Sequence, residues 1–359
     1  YAVARDVDPS CLICDVRIVD VARWLGLEPD LARTARYRAA LDSFPPHYRQ
    51  LIQATFESPG DRIELLRDLT VRYRDWGFGW FVLGDEIFHR GALVGIPRTG
   101  ALAPLQHAAV LRPDFAPIWE HLAWAAIAEG DSAVAADALD HYDRLADQRD
   151  LAAATIGALL HTGSLWRFAP ERVAIAASEQ VLAQPAVAAW SDMSAAPSYL
   201  LTLDVPRATV WLGARFAQGV PRNGLETVGL LAQAYGLVAL GRPDSAVAVA
   251  RRAADRTSEP ALALFAAELP AALALADSAD LFRDYARLAG PLRAIADETS
   301  AAAPQRSRAL WMLALLAWRG NRGADGDAAH RAFESLAGHA GSLGALLGGS
   351  RREASRSVL

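Results

Sequence analysis

Cys11 and Cys14 form the one C-x-x-C spacing in the chain, and that spacing serves several kinds of chemistry. A structural zinc site needs four ligands, and a single pair supplies two. Covalent haem attachment needs a His directly after the second Cys, where this chain has Asp15. A redox pair normally opens a helix within a βαβ unit, and no such pattern surrounds these residues. What remains is a pair of ordinary or disulfide-linked cysteines, a lipidation or partner contact, or a metal or redox role outside its usual setting.

The other reactive types are more scattered. The eight histidines contain no H-E-x-x-H or other tight ligand spacing. His121 beside Glu120, and His141 near Asp137, are expected to face solvent or to cap backbone. Gly77-x-Gly79 lacks the third glycine of a dinucleotide fingerprint, and no G-x-S-x-G elbow occurs. Asp325-x-Asp327 begins like a calcium loop but lacks the third acid and the closing Glu. All 36 basic residues are arginine. A phosphate loop, a pyridoxal Schiff base, a lysine nucleophile and a kinase ATP-binding lysine each need an amine, so those classes are excluded. No catalytic residue, cofactor site or metal site is therefore expected. The rival reading is a helical-toroid hydrolase acting on a carbohydrate or lipid, with Asp85 and Glu86 lining its pocket.

Net charge -5 and an isoelectric point near 5.9 argue against general nucleic-acid binding, which needs a concentrated positive field. Arginines cluster at Arg33, Arg36 and Arg38, and again at Arg351, Arg352 and Arg356. Both groups are expected to be solvated faces. No apolar run reaches the ~18–20 residues of a bilayer span. The best runs, Leu310 to Trp318 and Ala261 to Ala276, read as buried helices. A chain that opens at Tyr1 leaves open an upstream signal peptide, lipid anchor or membrane helix, so no compartment is excluded.

An Ala- and Leu-rich composition suits helices packed on helices, and fixed spacings organise them. From Ala116 to about Arg149, Trp119, Leu122 and Ala123 lie on a first helix and Gly130-Asp131 makes a turn. Ala135 and Leu139 follow on a second helix. Small residues there let the helices approach closely, large apolar ones fill the gap, and glycine supplies a left-handed helix end. The preceding unit carries Trp80, Leu83 and Gly84, then Ala101 and Leu105, then Ala108 and Pro113. It runs about five residues longer than a ~34-residue period, and the excess falls in an extended loop over residues 89–97. A third unit covers about Thr227 to Pro260, with Ala234, Gly241, Ala246 and Ala253 in phase. A degenerate fourth begins at Trp311 and carries Ala329 and Phe333.

The stretch from Trp80 to Ala123 resembles the tetratricopeptide (TPR) modules that some bacterial serine/threonine kinases carry outside the membrane. The resemblance covers about a third of the chain. It implies an α-solenoid that binds other proteins, on the extracytoplasmic side. The kinase domain is absent, so no catalytic residue carries over.

The expected organisation is all-α: an extended N-terminal arm over 1–30, a TPR-like arm over 31–183, an irregular connector over 184–219, a second arm over 220–340 and a frayed tail over 341–359. Most of the ten tryptophans are expected to be core, while Trp190 and Trp211, in the aperiodic middle, are candidate partner anchors together with Cys11 and Cys14. The function expected is a non-catalytic scaffold, an accessory subunit docked on a larger membrane-bound bacterial complex, of which a photosynthetic reaction centre is one host. The alternative within the same fold is the sensory arm of a signalling protein.

Overall fold

A computed structural model describes residues 1–24, 30–147, 149–182, 205–218, 225–276 and 278–339. Among these residues the protein is all helical, with no strand, and within each unit most helices pack on a sequence neighbour. The chain divides into two compact units, 1–147 and 148–359. The division falls inside the 31–183 arm expected from the sequence, so residues 151–182 group with the second unit.

The first unit contains α1 (Ala2–Val7), α2 (Leu12–Trp24), α3 (Leu31–Ala39), α4 (Pro46–Ala54), α5 (Pro59–Arg72), α6 (Gly77–Arg90), α7 (Leu102–Leu111), α8 (Ala116–Glu129) and α9 (Ser132–Leu145). Residues 1–30 are not an extended arm as far as they are described. Val16 and Val19 on α2 are buried with Tyr37 of α3, Ile52 of α4 and Phe44, which lies just before α4, because α2 offers an apolar stripe that only packing removes from water. Local chemistry sets the helix starts. Asp30 accepts the Arg33 backbone N–H at 3.0 Å, and Asp131 accepts those of Ala133 and Val134 at 3.1 and 3.0 Å.

The repeat is visible side chain by side chain. The indole N–H of Trp80 donates to the Arg74 carbonyl at 2.8 Å, and that of Trp119 donates to the Pro113 carbonyl at 2.9 Å. Each tryptophan thus ties its helix to the turn before it. Its ring meets a histidine on the following helix: Trp80 and His107 have centroids 4.4 Å apart, Trp119 and His141 3.9 Å in a stacked pair. Ala101, Leu105 and His107 recur as Ala135, Leu139 and His141, each about 34 residues later. The excess in the earlier unit is taken up by two 3-10 turns, Gly91–Val94 and Arg98–Ala101. Leu122, Ala123, Leu83, Ala101, Ala135 and Leu139 are all buried, and a Cβ on Gly84 would stand 2.6 Å from Leu105 Cγ.

The second unit contains α10 (Leu151–Phe168), α11 (Glu171–Leu182), α12 (Pro206–Ala217), α13 (Leu225–Ala239), α14 (Pro243–Ala254), α15 (Pro260–Ala276), α16 (Ser278–Asp297), α17 (Ala303–Arg319) and α18 (Gly323–His339). Ala234 on α13, and Ala246 and Ala253 on α14, are fully buried, and Phe333 of α18 contacts Trp311 of α17 at 5.6 Å. Alternate helices also touch: α6 lies beside α8 in the first unit, and α13 beside α15 beside α17 in the second. Stacked pairs produce that arrangement, because the first helix of each pair forms one row and the second another. No helix among the described residues is long and apolar enough to cross a membrane.

Candidate functional site

Asp85 and His89 lie one helical turn apart on α6, so both side chains leave the same face. His121 reaches them from α8, the neighbouring helix of the same row. His121 Nε2 is 3.0 Å from Asp85 Oδ1, His89 Nε2 is 3.4 Å from the same oxygen, and the two ring nitrogens are 3.3 Å apart. The rings are held by aromatic neighbours. Phe81 and Phe88 stand edge-on to His121, with centroids at 5.6 and 5.9 Å, and Phe88 also meets His89 at 5.1 Å. The far nitrogen of His121, Nδ1, is 2.9 Å from the Pro117 carbonyl, which can only accept, so Nδ1 carries a proton.

Electrostatics follow from that geometry. Burial alone would lower the His121 pKa, but the hydrogen bond to Asp85 and the charges of Glu120 and Asp85 outweigh it and raise the value to about 9. Burial pushes the Asp85 carboxyl up, while the His121 hydrogen bond and the charges of His121, His89 and Arg90 hold it below the usual carboxylate range. His89 is lowered, by burial first and by the neighbouring His121 charge. Glu120, which accepts a hydrogen bond from Trp124, is raised by burial against the opposing charge of His121.

The sequence reading found no tight histidine spacing and expected His121 to face solvent or cap backbone. His121 does reach backbone through Nδ1, but it is mostly buried and its Nε2 belongs to a three-residue cluster. The signal missed was Asp85-x-x-x-His89, whose members share a helix face. The third member comes from the repeat that follows, where only the stacking of α6 on α8 places it.

Asp85 and Glu86 do not form a carboxylate pair facing one pocket. Glu86 is buried and bound by Arg90 at 2.7 Å and Arg62 at 3.3 Å. Arg62 also donates to the carbonyls of Ala54 and Thr55, at 2.9 and 3.0 Å, satisfying backbone acceptors left over at the end of α4. In the second unit a buried glutamate ties together two helices of one row. There buried Glu268 on α15 accepts from Arg308 on α17 at 2.5 Å.

Arg33 and Arg36 are not simply a solvated face. With Arg5 they converge on Asp15, which is fully buried, at 3.0, 3.2 and 2.8 Å. A buried carboxylate of this kind demands such partners, since its charge alone would be costly. Arg38 instead lies over the Phe56 ring at 4.5 Å. Cys11 and Cys14 are joined as a disulfide, with Cα atoms 5.3 Å apart. Trp211 on α12 packs beside Trp166 of α10 at 5.9 Å, whereas Trp190 and the Arg351, Arg352, Arg356 group lie outside the described residues. Asp327, read as part of an incomplete calcium loop, accepts the Trp318 indole N–H at 3.0 Å.

The sequence matches no family model and no curated protein.

Proposed function

We propose that this chain is a non-catalytic, TPR-like scaffold that binds other proteins and serves as an accessory subunit on the surface of a larger membrane-bound assembly. The observation that carries the reading is the row made by alternate helices, α6 with α8 and α13 with α15 and α17. Rows of this kind give repeat proteins an extended face whose specificity resides in side chains rather than in a reactive centre. The buried acids on or near these rows support a structural use, because Glu86 and Glu268 are bound to arginines that join one helix to another.

The extra residues of the Trp80 unit support a contact point. Insertions within a repeat collect on one face, often the binding face, and here Leu93 is exposed at 73% and Val94 at 40%. The Cys11–Cys14 disulfide supports an oxidising, extracytoplasmic setting. The host is a bacterial membrane complex, a photosynthetic reaction centre among the assemblies to try.

The test follows the chain through a sucrose gradient after gentle solubilisation of native membranes. Co-migration with a larger complex is expected, and Leu93→Asp is expected to release the chain while its helical circular dichroism stays unchanged. A wild-type chain that migrates alone as a monomer overturns the proposal.

A further inference from the structure

We infer that Asp85, His89 and His121 bind one divalent transition-metal ion, with Zn2+ as the occupant their chemistry favours. Two imidazoles and one carboxylate form a donor set that suits zinc and its first-row neighbours better than magnesium or calcium, which prefer oxygen.

Distances carry the argument. The three donor atoms stand 3.0, 3.3 and 3.4 Å from one another. Ligands about 2.0–2.1 Å from a tetrahedral ion stand roughly 3.3–3.4 Å apart, so the triangle has nearly the dimensions of one face of such a tetrahedron. An ion about 2.1 Å from each atom would sit roughly 1 Å out of their plane, leaving a fourth position for water or a partner's side chain.

Protons satisfy this triangle less well than an ion does. Because Nδ1 of His121 already donates to the Pro117 carbonyl, Nε2 is the nitrogen left to face Asp85 and His89, where an ion would take the place of its proton. A proton on that nitrogen serves Asp85. The His89 nitrogen then either leaves its edge with Asp85 without a proton or points a second N–H at the first. A cation in the centre is attractive to all three atoms at once.

The surroundings suit a preformed site. The Nδ1–H to carbonyl bond fixes the His121 ring and tautomer, as outer-shell partners of metal-bound histidines do. Phe81 and Phe88 wall the rings. His89 is about half exposed, which gives an ion a way in, while His121 and Asp85 are mostly covered. Nearby Arg90 is held by Glu86, so its guanidinium does not fill the centre. The ion would clasp α6 to α8, two helices of the row that the proposed function uses, but the site stands or falls independently of that function.

The experiment uses the full chain, stripped with a chelator and titrated with Zn2+ in calorimetry against a competing chelator, then with Co2+ in visible absorption. One equivalent of saturable binding is expected, with a rise in melting temperature and a Co2+ ligand-field band of the intense kind given by four-coordinate sites. His89→Ala removes a half-exposed ligand without opening the core. It should weaken binding on the order of 100-fold or more, since losing only an outer-shell partner costs roughly 10–100-fold. Asp85→Asn should weaken it as well, whereas His141→Ala, on the stack with Trp119, should not. A wild-type chain with no stoichiometric binding and no zinc-dependent change in melting overturns the assignment. So does binding that survives both His89→Ala and Asp85→Asn, which would place the ion elsewhere.

Discussion

Gly213 on α12 and Gly229 on α13 cross with their backbones in contact. A Cβ added to Gly213 would lie 2.5 Å from the Gly229 carbonyl oxygen, and one added to Gly229 would lie 2.6 Å from the Gly213 carbonyl oxygen. Backbone cannot swing aside as the end of a flexible side chain can. Gly213→Ala and Gly229→Ala are therefore expected to destabilise the second unit by at least roughly 1–3 kcal/mol, the range for overpacking a tight contact. Gly323 at the start of α18 is the control: it is exposed, is not followed by proline, and nothing beyond its chain neighbours lies within 4 Å of its Cβ position, so Gly323→Ala should stabilise by about 0.4–1 kcal/mol. Thermal melts of the three variants check this, and equal effects of opposite glycines would sink it.

Three helices stop in the same way. The backbone N–H groups of Asp131, Arg242 and Arg322 reach back to the carbonyls of Ala126, Leu237 and Ala317, at 3.0, 2.9 and 2.8 Å. Left-handed residues precede them: Gly130 at φ 90°, Gly241 at φ 70° and Asn321 at φ 56°. This is the Schellman ending, which glycine serves without steric penalty. Nothing lies near a Cβ on Gly241, so Gly241→Ala should cost only the backbone term, about 1–2 kcal/mol. Asn321→Gly should gain up to about 1 kcal/mol for the converse reason. Chemical denaturation separates the two signs.

Leu122 on α8 and Ala135 on α9 belong to two helices that pack on each other, and both are buried, Ala135 completely. Leu122→Asp puts an unpaired charge there, and Ala135→Trp puts a ring where a methyl fits. Each is expected to cost on the order of 3 kcal/mol or more. A melting curve unchanged by either would mean that the two helices do not meet at these residues.

The parts of this architecture written in local spacing were legible from the sequence. Trp80 and Trp119, Ala101 and Ala135, and Gly130 and Gly241 each mark a position whose chemistry is decided within one helix pair. The five-residue excess after α6 was equally plain, since glycines and a proline break a helix wherever they fall. Contacts between pairs were not. His121 meets Asp85 only because α8 stacks beside α6, and Arg308 meets Glu268 only because α17 stacks beside α15. The Arg33 and Arg36 cluster was misread for a related reason. Charge runs are usually solvated, and nothing near them in sequence announces that Asp15, half a domain segment earlier, is buried and needs them.

The His121 cluster also sets a pH dependence, which shows most clearly with metal removed by chelator. His121 has a folded-state pKa of about 9 against an ordinary 6.5. A raised histidine contributes stability that is fully present below its unfolded value and is lost as pH rises through the folded one. The window is therefore between about pH 6.5 and 9. The groups facing it divide in sign. Asp85 is lowered, so its contribution holds at neutral pH and is lost only on acidification. His89, lowered, and Glu120, raised, oppose folding in their charged forms and subtract from the total. A shift of this size corresponds to at most about 3 kcal/mol, and the net is expected to be smaller. The melting temperature of the metal-free chain should fall as pH rises through this window. His121→Gln should lower it near pH 6.5 and remove most of the slope. Because tyrosines and other groups titrate near the alkaline end, the quantity to compare is the difference between wild type and variant at each pH. A difference that stays constant from pH 6 to 10 would show that His121 carries no raised pKa and that the cluster is not coupled as its geometry requires.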